Sequence, residues 1–161
     1  MIRPAQREDL GAVLTVYGTA RKFMRENGNP TQWGDSYPSE ELLKDDIAKR
    51  RLYVVEEGGA IHGAFAFCPG LEPTYAHLEQ GSWKADGPYA TIHRVASDGA
   101  VKGIFARCAD FCKERCANLR IDTHRNNKIM RHLIEKNGFE KCGVIHVRDG
   151  SPRIAYQYTK T

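Results

Sequence analysis

No stretch of this 161-residue chain approaches the run of about eighteen apolar residues that a membrane-crossing helix needs. The opening M-I-R-P-A-Q-R-E-D-L also lacks the apolar core of a secretory signal. The two absences give the expectation of a cytoplasmic protein with no membrane partner. Basic clusters are missing too. The net charge is +4 with acids and bases interspersed, so an anionic ligand is permitted but no basic run marks a nucleic-acid partner. An even set of cysteines is missing as well. Five Cys without a signal argue for free thiols in a reducing compartment. Internal repeats, low-complexity segments and domain linkers are absent, and 1–161 reads as a single domain of ordinary globular composition.

What is present is organised around Ala90 to Cys116. A-T-I-H-R-V-A-S is short and β-rich and reads as a strand. Ile104, Phe105, Cys108, Ala109, Phe111, Cys112 and Cys116 repeat at helical spacing. Between them lies a turn holding Gly99, Lys102 and Gly103. A strand, a glycine turn and a helix start present unpartnered N–H groups and the positive end of a macrodipole, which suits a phosphate or pyrophosphate. Asp98-Gly99 equally marks a hairpin turn. Cys108, Cys112 and Cys116 share one helix face, but ligands spread over two turns do not converge on one ion. They read as small packing residues, and no metal site is predicted.

In chain order, Ile2 to Gln6 reads as an opening strand. Asp9 then caps a helix whose inner face carries Leu10, Val13, Leu14, Val16 and Tyr17. Asn27-Gly28-Asn29-Pro30 ends that helix. T-Q-W-G-D-S-Y-P follows as a loop whose Trp33 and Tyr37 either close over a ligand or plug the core. Ser39 starts a second helix with Glu40 and Glu41 in its first turn. Two β-rich runs flank Gly58-Gly59 as a hairpin. Leu71 to Pro88 is a long connection carrying Glu72, His77, Glu79, Trp83 and Asp86, and connections of this length are often functional. After the central strand and helix come N-L-R-I-D-T-H as a strand, a helix from Asn127 to Gly138, and two strands around Asp149-Gly150-Ser151-Pro152. The order β-α-α-β-β-β-α-β-α-β-β predicts an α/β (α+β) fold, a mixed sheet with helices on both faces.

N-K-I-M-R-H-L-I-E-K-N-G-F resembles the fourth-helix signature of the GNAT N-acetyltransferase superfamily, N-x-x-A-x-x-L-Y-x-K-x-G-F, at Asn127, Leu133, Lys136, Gly138 and Phe139. V-A-S-D-G-A-V-K-G-I-F resembles that family's acyl-CoA pyrophosphate loop, Q/R-x-x-G-x-G/A, with Gly103 as the strict match. The element order fits over essentially the whole chain. The resemblance implies a GNAT-like mixed, mostly antiparallel sheet, acetyl-CoA as co-substrate, and an amine acceptor. It implies that Val95 offers backbone groups to the pantetheine arm. Ala100, Val101, Lys102, Gly103, Ile104 and Phe105 would cradle the pyrophosphate, Ala106 and Arg107 would start the helix beneath it, and Asn127 would contact the pantetheine or the adjacent loop. Ala100 and Phe105 depart from the loop pattern. Ile134 stands where the family often has a Tyr that protonates the departing thiolate.

Transfer to an ammonium needs a general base and an oxyanion donor. His93 is the favoured base: it lies two residues before Val95, on the same face of a regular strand, and titrates near neutral pH. The Val95 N–H is the oxyanion candidate by its matched position. Glu79 is the second candidate base. Asp122 and His124 share a face of the next strand, and Tyr156 and Tyr158 are stand-ins for the missing acid, although core packing is the alternative for both. A covalent Cys-His route is disfavoured because nothing pairs those residues in sequence. Ala100, Phe105 and Ile134 favour the rival reading of a non-catalytic acyl-CoA-binding module, and room beside Ile134 favours a longer acyl group. The last hairpin is an edge that a second copy can pair with, giving a homodimer.

Overall fold

The strands are short and β-branched or aromatic-rich, and in the computed structural model, which describes residues 1–160, they pair into one seven-stranded sheet. Strands β1 (Ile2–Pro4), β2 (Leu52–Glu57), β3 (Ala60–Pro69), β4 (Ala90–Ser97), β5 (Asn118–Thr123), β6 (Glu140–His146) and β7 (Pro152–Thr159) lie in the order β1-β2-β3-β4-β5-β7-β6. Every neighbouring pair is antiparallel except β4–β5. The helices are α1 (Leu10–Glu26), α2 (Glu40–Ala48), α3 (Ile104–Lys113) and α4 (Lys128–Lys136).

Strand alternation sorts the core into two layers. Val55, Phe65, Phe67, Ile92, Ile121 and Tyr156 face one way and pack with Ile104, Cys108 and Cys112 of α3 and Ile134 of α4. Leu52, Val54, Ala64 and Ala96 face the other way, against Val13, Val16 and Tyr17 of α1 and Leu43 and Ile47 of α2. The Cys108 and Cys112 thiols are buried packing groups, as their helical spacing predicts. Gly63 is required where β3 meets α3: a Cβ there would lie 2.8 Å from the Ile104 side chain.

Two expectations need correction. Asp9 does not cap α1. Its carboxylate accepts from the Gln6 N–H at 2.7 Å and pairs with Arg3, because a 3-10 turn (Arg7–Asp9) comes first. The α3 helix stops at Lys113, so Cys116 lies beyond it. The long connection from 71 to 89 is itself well packed. It lies across β5, β7 and β6 and builds a third small core from Tyr75, Tyr89, Ile145 and Ala155. Gln157 accepts from the Lys84 and Ala85 N–H groups at 2.6 and 3.2 Å and donates to the Ala85 carbonyl at 2.9 Å. The Arg120 guanidinium sits over the Trp83 and Tyr89 rings at 3.9 and 4.0 Å, a desolvated cation–π stack. At its far end the segment bridges Glu79 to Val144, covering the outer side of β6 at that point. The hydrogen bonds that 71–89 makes to Gln157 and Arg120 use its backbone groups, which sequence periodicity does not report.

Candidate active site

Strands β4 and β5 hold the site because they run parallel for only two pairs, Ala90↔Leu119 and Thr91↔Arg120. Beyond Thr91 no further β4–β5 pairing exists, and the gap opens toward the C-terminal ends of both strands. On the α3 side of the mouth lies the turn from Asp98 to Gly103. Gly103 takes φ +74°, a left-handed conformation that admits the chain into α3 without strain. The Gly99 and Ala100 N–H groups are held by Ser97 Oγ and Asp98 Oδ1. From Val101 to Ala106 the six consecutive backbone N–H groups have no partner among the described residues, and the ladder of α3 begins with Arg107 N–H on Gly103. Such a row of free donors at a helix start fits a pyrophosphate. Phe105 does not obstruct it, because its side chain is buried in the core. Arg107 is committed to Glu57 at 3.1 Å, whereas Lys102 is exposed.

His93 and Val95 do not share a face. The β3–β4 register shifts between Ala64↔Ala96 and Ala66↔His93, so β4 carries one extra residue. Arg94 absorbs it at φ +55°. Val95 therefore packs with Ile92 on the α3–α4 side, and His93 faces the side of α1, α2 and the 71–89 segment. Two buried contacts hold the bulge: the Tyr17 hydroxyl donates to the Arg94 carbonyl at 2.6 Å, and the Arg94 guanidinium grips fully buried Asp46 at 2.9–3.1 Å. A positive φ at a non-glycine residue is rare, and nothing in the sequence flags it.

On that second face His93 Nε2 meets Glu72 Oε1 at 3.0 Å. Glu72 is the partner that sequence reasoning passed over in favour of Glu79. Its other oxygen accepts from the Thr74 N–H and hydroxyl at 3.0 and 2.9 Å, and its own N–H donates to the Tyr89 hydroxyl. The hydrogen bond to His93, with further donation from Thr74, brings the Glu72 carboxyl down to about 2 despite partial burial. Glu79 instead pairs with His77 at the surface, beyond β6. Four strand spacings separate it from β4, roughly 19 Å across the sheet. The structure brings Glu72, not Glu79, to His93.

Asp122 lies beside this pair on β5. Burial pushes its carboxyl up, and it accepts from the Tyr75 hydroxyl at 2.6 Å. The α1–α2 loop covers the open end of the gap. Gln32 Oε1 accepts from Thr123 Oγ1, His124 N–H and Asn127 Nδ2 at 3.3–3.4 Å. Asn127 also caps α4, accepting from the Met130 N–H at 3.1 Å. Of the two loop aromatics, Trp33 plugs the α1 core against Tyr17, and the Tyr37 hydroxyl accepts from Arg94 Nη1 at 3.3 Å. Ile134 is fully buried. Tyr156 packs beside it, with its hydroxyl 3.4 Å from Arg131 Nε.

No family model matches the chain, and no curated protein matches it. Solved structures do. A GNAT-family acetyltransferase of Streptococcus agalactiae superposes with a TM-score of 0.88 at 28% identity, covering 100% of this chain and 95% of the other. A GNAT-family acetyltransferase of Listeria monocytogenes gives 0.73 at 20% identity over 99% and 94%. The yncA protein of Salmonella typhimurium, solved with its cofactor acetyl-CoA, gives 0.62 at 16% identity over 99% and 92%, a likeness of fold alone. The fold and the opened β4–β5 pair place this chain in the GNAT superfamily of N-acetyltransferases.

Proposed function

We propose that residues 1–161 act as one cytoplasmic N-acetyltransferase domain that transfers an acetyl group from acetyl-CoA directly to a primary amine. The observation that carries this reading is the β4–β5 gap, with six free N–H groups at its mouth and the His93–Glu72 pair on its other side. Acetyl-CoA supplies the acetyl group as an activated thioester. Val101 to Ala106 bind the pyrophosphate through backbone donors, Lys102 adds charge, and Asn127 lies beside the pantetheine path. The Val95 N–H, just past the bulge, is placed to stabilise the developing oxyanion.

His93 is the general base. With its Nε2–H donated to Glu72, Nδ1 keeps a lone pair for the proton of the incoming ammonium. Glu72 fixes that tautomer and favours the imidazolium that results, so it is a positioning residue. Glu79 has no part in this scheme. Ile134 has no proton to give a departing thiolate, and a thiol of ordinary pKa, about 8.5, needs none.

The test is amine-dependent consumption of acetyl-CoA by wild type, His93→Gln and Glu72→Gln. The expected result is turnover that falls about 100-fold or more in His93→Gln and less in Glu72→Gln. A protein that binds acetyl-CoA but consumes none with any amine is the non-catalytic module favoured by Ala100, Phe105 and Ile134. Faster turnover with a longer acyl thioester would replace acetyl as the preferred group.

A further inference from the structure

We infer that the acceptor is an amine that also carries a carboxylate, an amino acid or short peptide, with Arg153 as the carboxylate-binding residue. The inference rests on the acetyltransferase reading and names the acceptor class of the same site. Alternation on β7 fixes the direction of Arg153. Ile154 and Tyr156 face the α3–α4 core, and Ala155 and Gln157 face the 71–89 segment. Arg153 therefore stands on the His93 face, beside Asp122, whose strand partner is Ala155.

The guanidinium is only 7% exposed as a residue and has no carboxylate within 4 Å among the described residues. Its Nη1 donates to Ser151 Oγ and the Pro152 carbonyl, both at 3.0 Å, and its Nη2 donates to the Gln32 carbonyl at 3.4 Å. Of five N–H donors three are used, which leaves Nε–H and one on Nη2. That pair forms the fork that takes a carboxylate bidentately. Neither nitrogen is sealed off without a partner, in contrast to Arg120 Nε and Arg51 Nε. The other buried arginine, Arg120, stacks on two aromatic rings, and the part-buried Arg94 and Arg51 pair with Asp46. Arg153 alone among them is a desolvated cation with its fork free. Burial lowers its affinity for its own proton, and the nearest acids, Asp122 and Asp149, answer only at longer range. Burial pushes the Asp122 carboxyl up, and its Oδ2 is taken by the Tyr75 hydroxyl at 2.6 Å, so Asp122 does not close on the guanidinium. Gln32 joins Arg153 to the loop over the gap, so a carboxylate held there lies under the same cover as the amine end at His93.

The experiment compares acetyl transfer to amino acids and dipeptides with transfer to their decarboxylated amines, in wild type, Arg153→Met and Arg153→Lys. The expected result is a wild-type preference for the carboxylate-bearing member of each pair of about 10- to 100-fold in kcat/KM. Arg153→Met loses that preference through KM, and Arg153→Lys recovers part of it. Thermal melts confirm folding, and calorimetric binding of an N-acetyl amino acid to wild type gives a readout apart from turnover. Equal transfer to both members of each pair, unchanged in Arg153→Met, overturns this inference and leaves the acetyltransferase reading standing. Transfer to no amine removes both.

Discussion

Replacing Asp46 by Ala tests the support of the β4 bulge. Asp46 is fully buried and accepts from Arg94 Nε and Nη2 and from Arg51 Nη2 within 3.1 Å. An exposed pair of this geometry contributes about 0–1 kcal/mol. Burial decides otherwise here. Removing Asp46 strands the Arg94 guanidinium, 10% exposed, with only the Tyr37 hydroxyl at 3.3 Å. Breaking a buried pair from one side costs about 3–5 kcal/mol. For a chain of this size each kcal/mol lowers Tm by about 2–4 °C, so the loss is roughly 6–20 °C. The same change frees the residue that turns His93 and Val95 to opposite faces, and turnover should fall with stability. The double variant Asp46→Leu/Arg94→Met regains part of the Tm because no charge is stranded, but not the turnover. Calorimetric melts and initial rates read both. A Tm loss under about 2 °C would show that water reaches the pair and would refute the argument.

Gly143→Ala should loosen the 71–89 segment, because a Cβ there would lie 2.4 Å from the Glu79 carbonyl oxygen. The expected loss is about 1–3 kcal/mol, with faster amide exchange at Tyr75 and Ala76. The Glu72 carboxyl is depressed to about 2 from its ordinary 4.5. Its stabilisation is therefore complete above about pH 4.5 and is lost as pH falls toward 2; the Tm gap between wild type and Glu72→Gln should narrow over that window. Burial pushes the Cys108 and Cys112 thiols up, Cys112 to about 12. Mass spectrometry after brief native alkylation at pH 8 should find Cys116 labelled before either, and labelling of Cys108 first would contradict the packing described.

Much of the fold could be read because its elements bury regular faces. The hairpin at Gly58-Gly59, the Asn127 cap and the β4–turn–α3 unit all appear where periodicity and turn chemistry put them. The His93–Val95 geometry was not legible in the sequence. His93 and Val95 alternate in a regular strand, but the extra residue at Arg94 breaks the period, and the contacts that hold it, from Tyr17 and Asp46, are 77 and 48 positions away. Glu72 and Glu79 look alike in sequence. What separates them is long-range: Thr74, Tyr89 and His93 gather around Glu72, whereas Glu79 is drawn to β6 by a backbone bridge to Val144. Arg153 reads as one more charge at the start of a strand. Only the absence of a facing carboxylate among the described residues distinguishes it, and absence of a tertiary partner leaves no local trace.

Calorimetric titration of acetyl-CoA into wild type and Gly103→Pro tests the central claim most directly. Gly103 sits at φ +74°, and proline, fixed near −65°, disrupts the turn that presents the six free N–H groups. The account predicts micromolar binding by wild type that weakens at least about tenfold in the variant, a loss equal to one or two charge-assisted hydrogen bonds. A folded wild-type protein that binds no acetyl-CoA at millimolar ligand would contradict it.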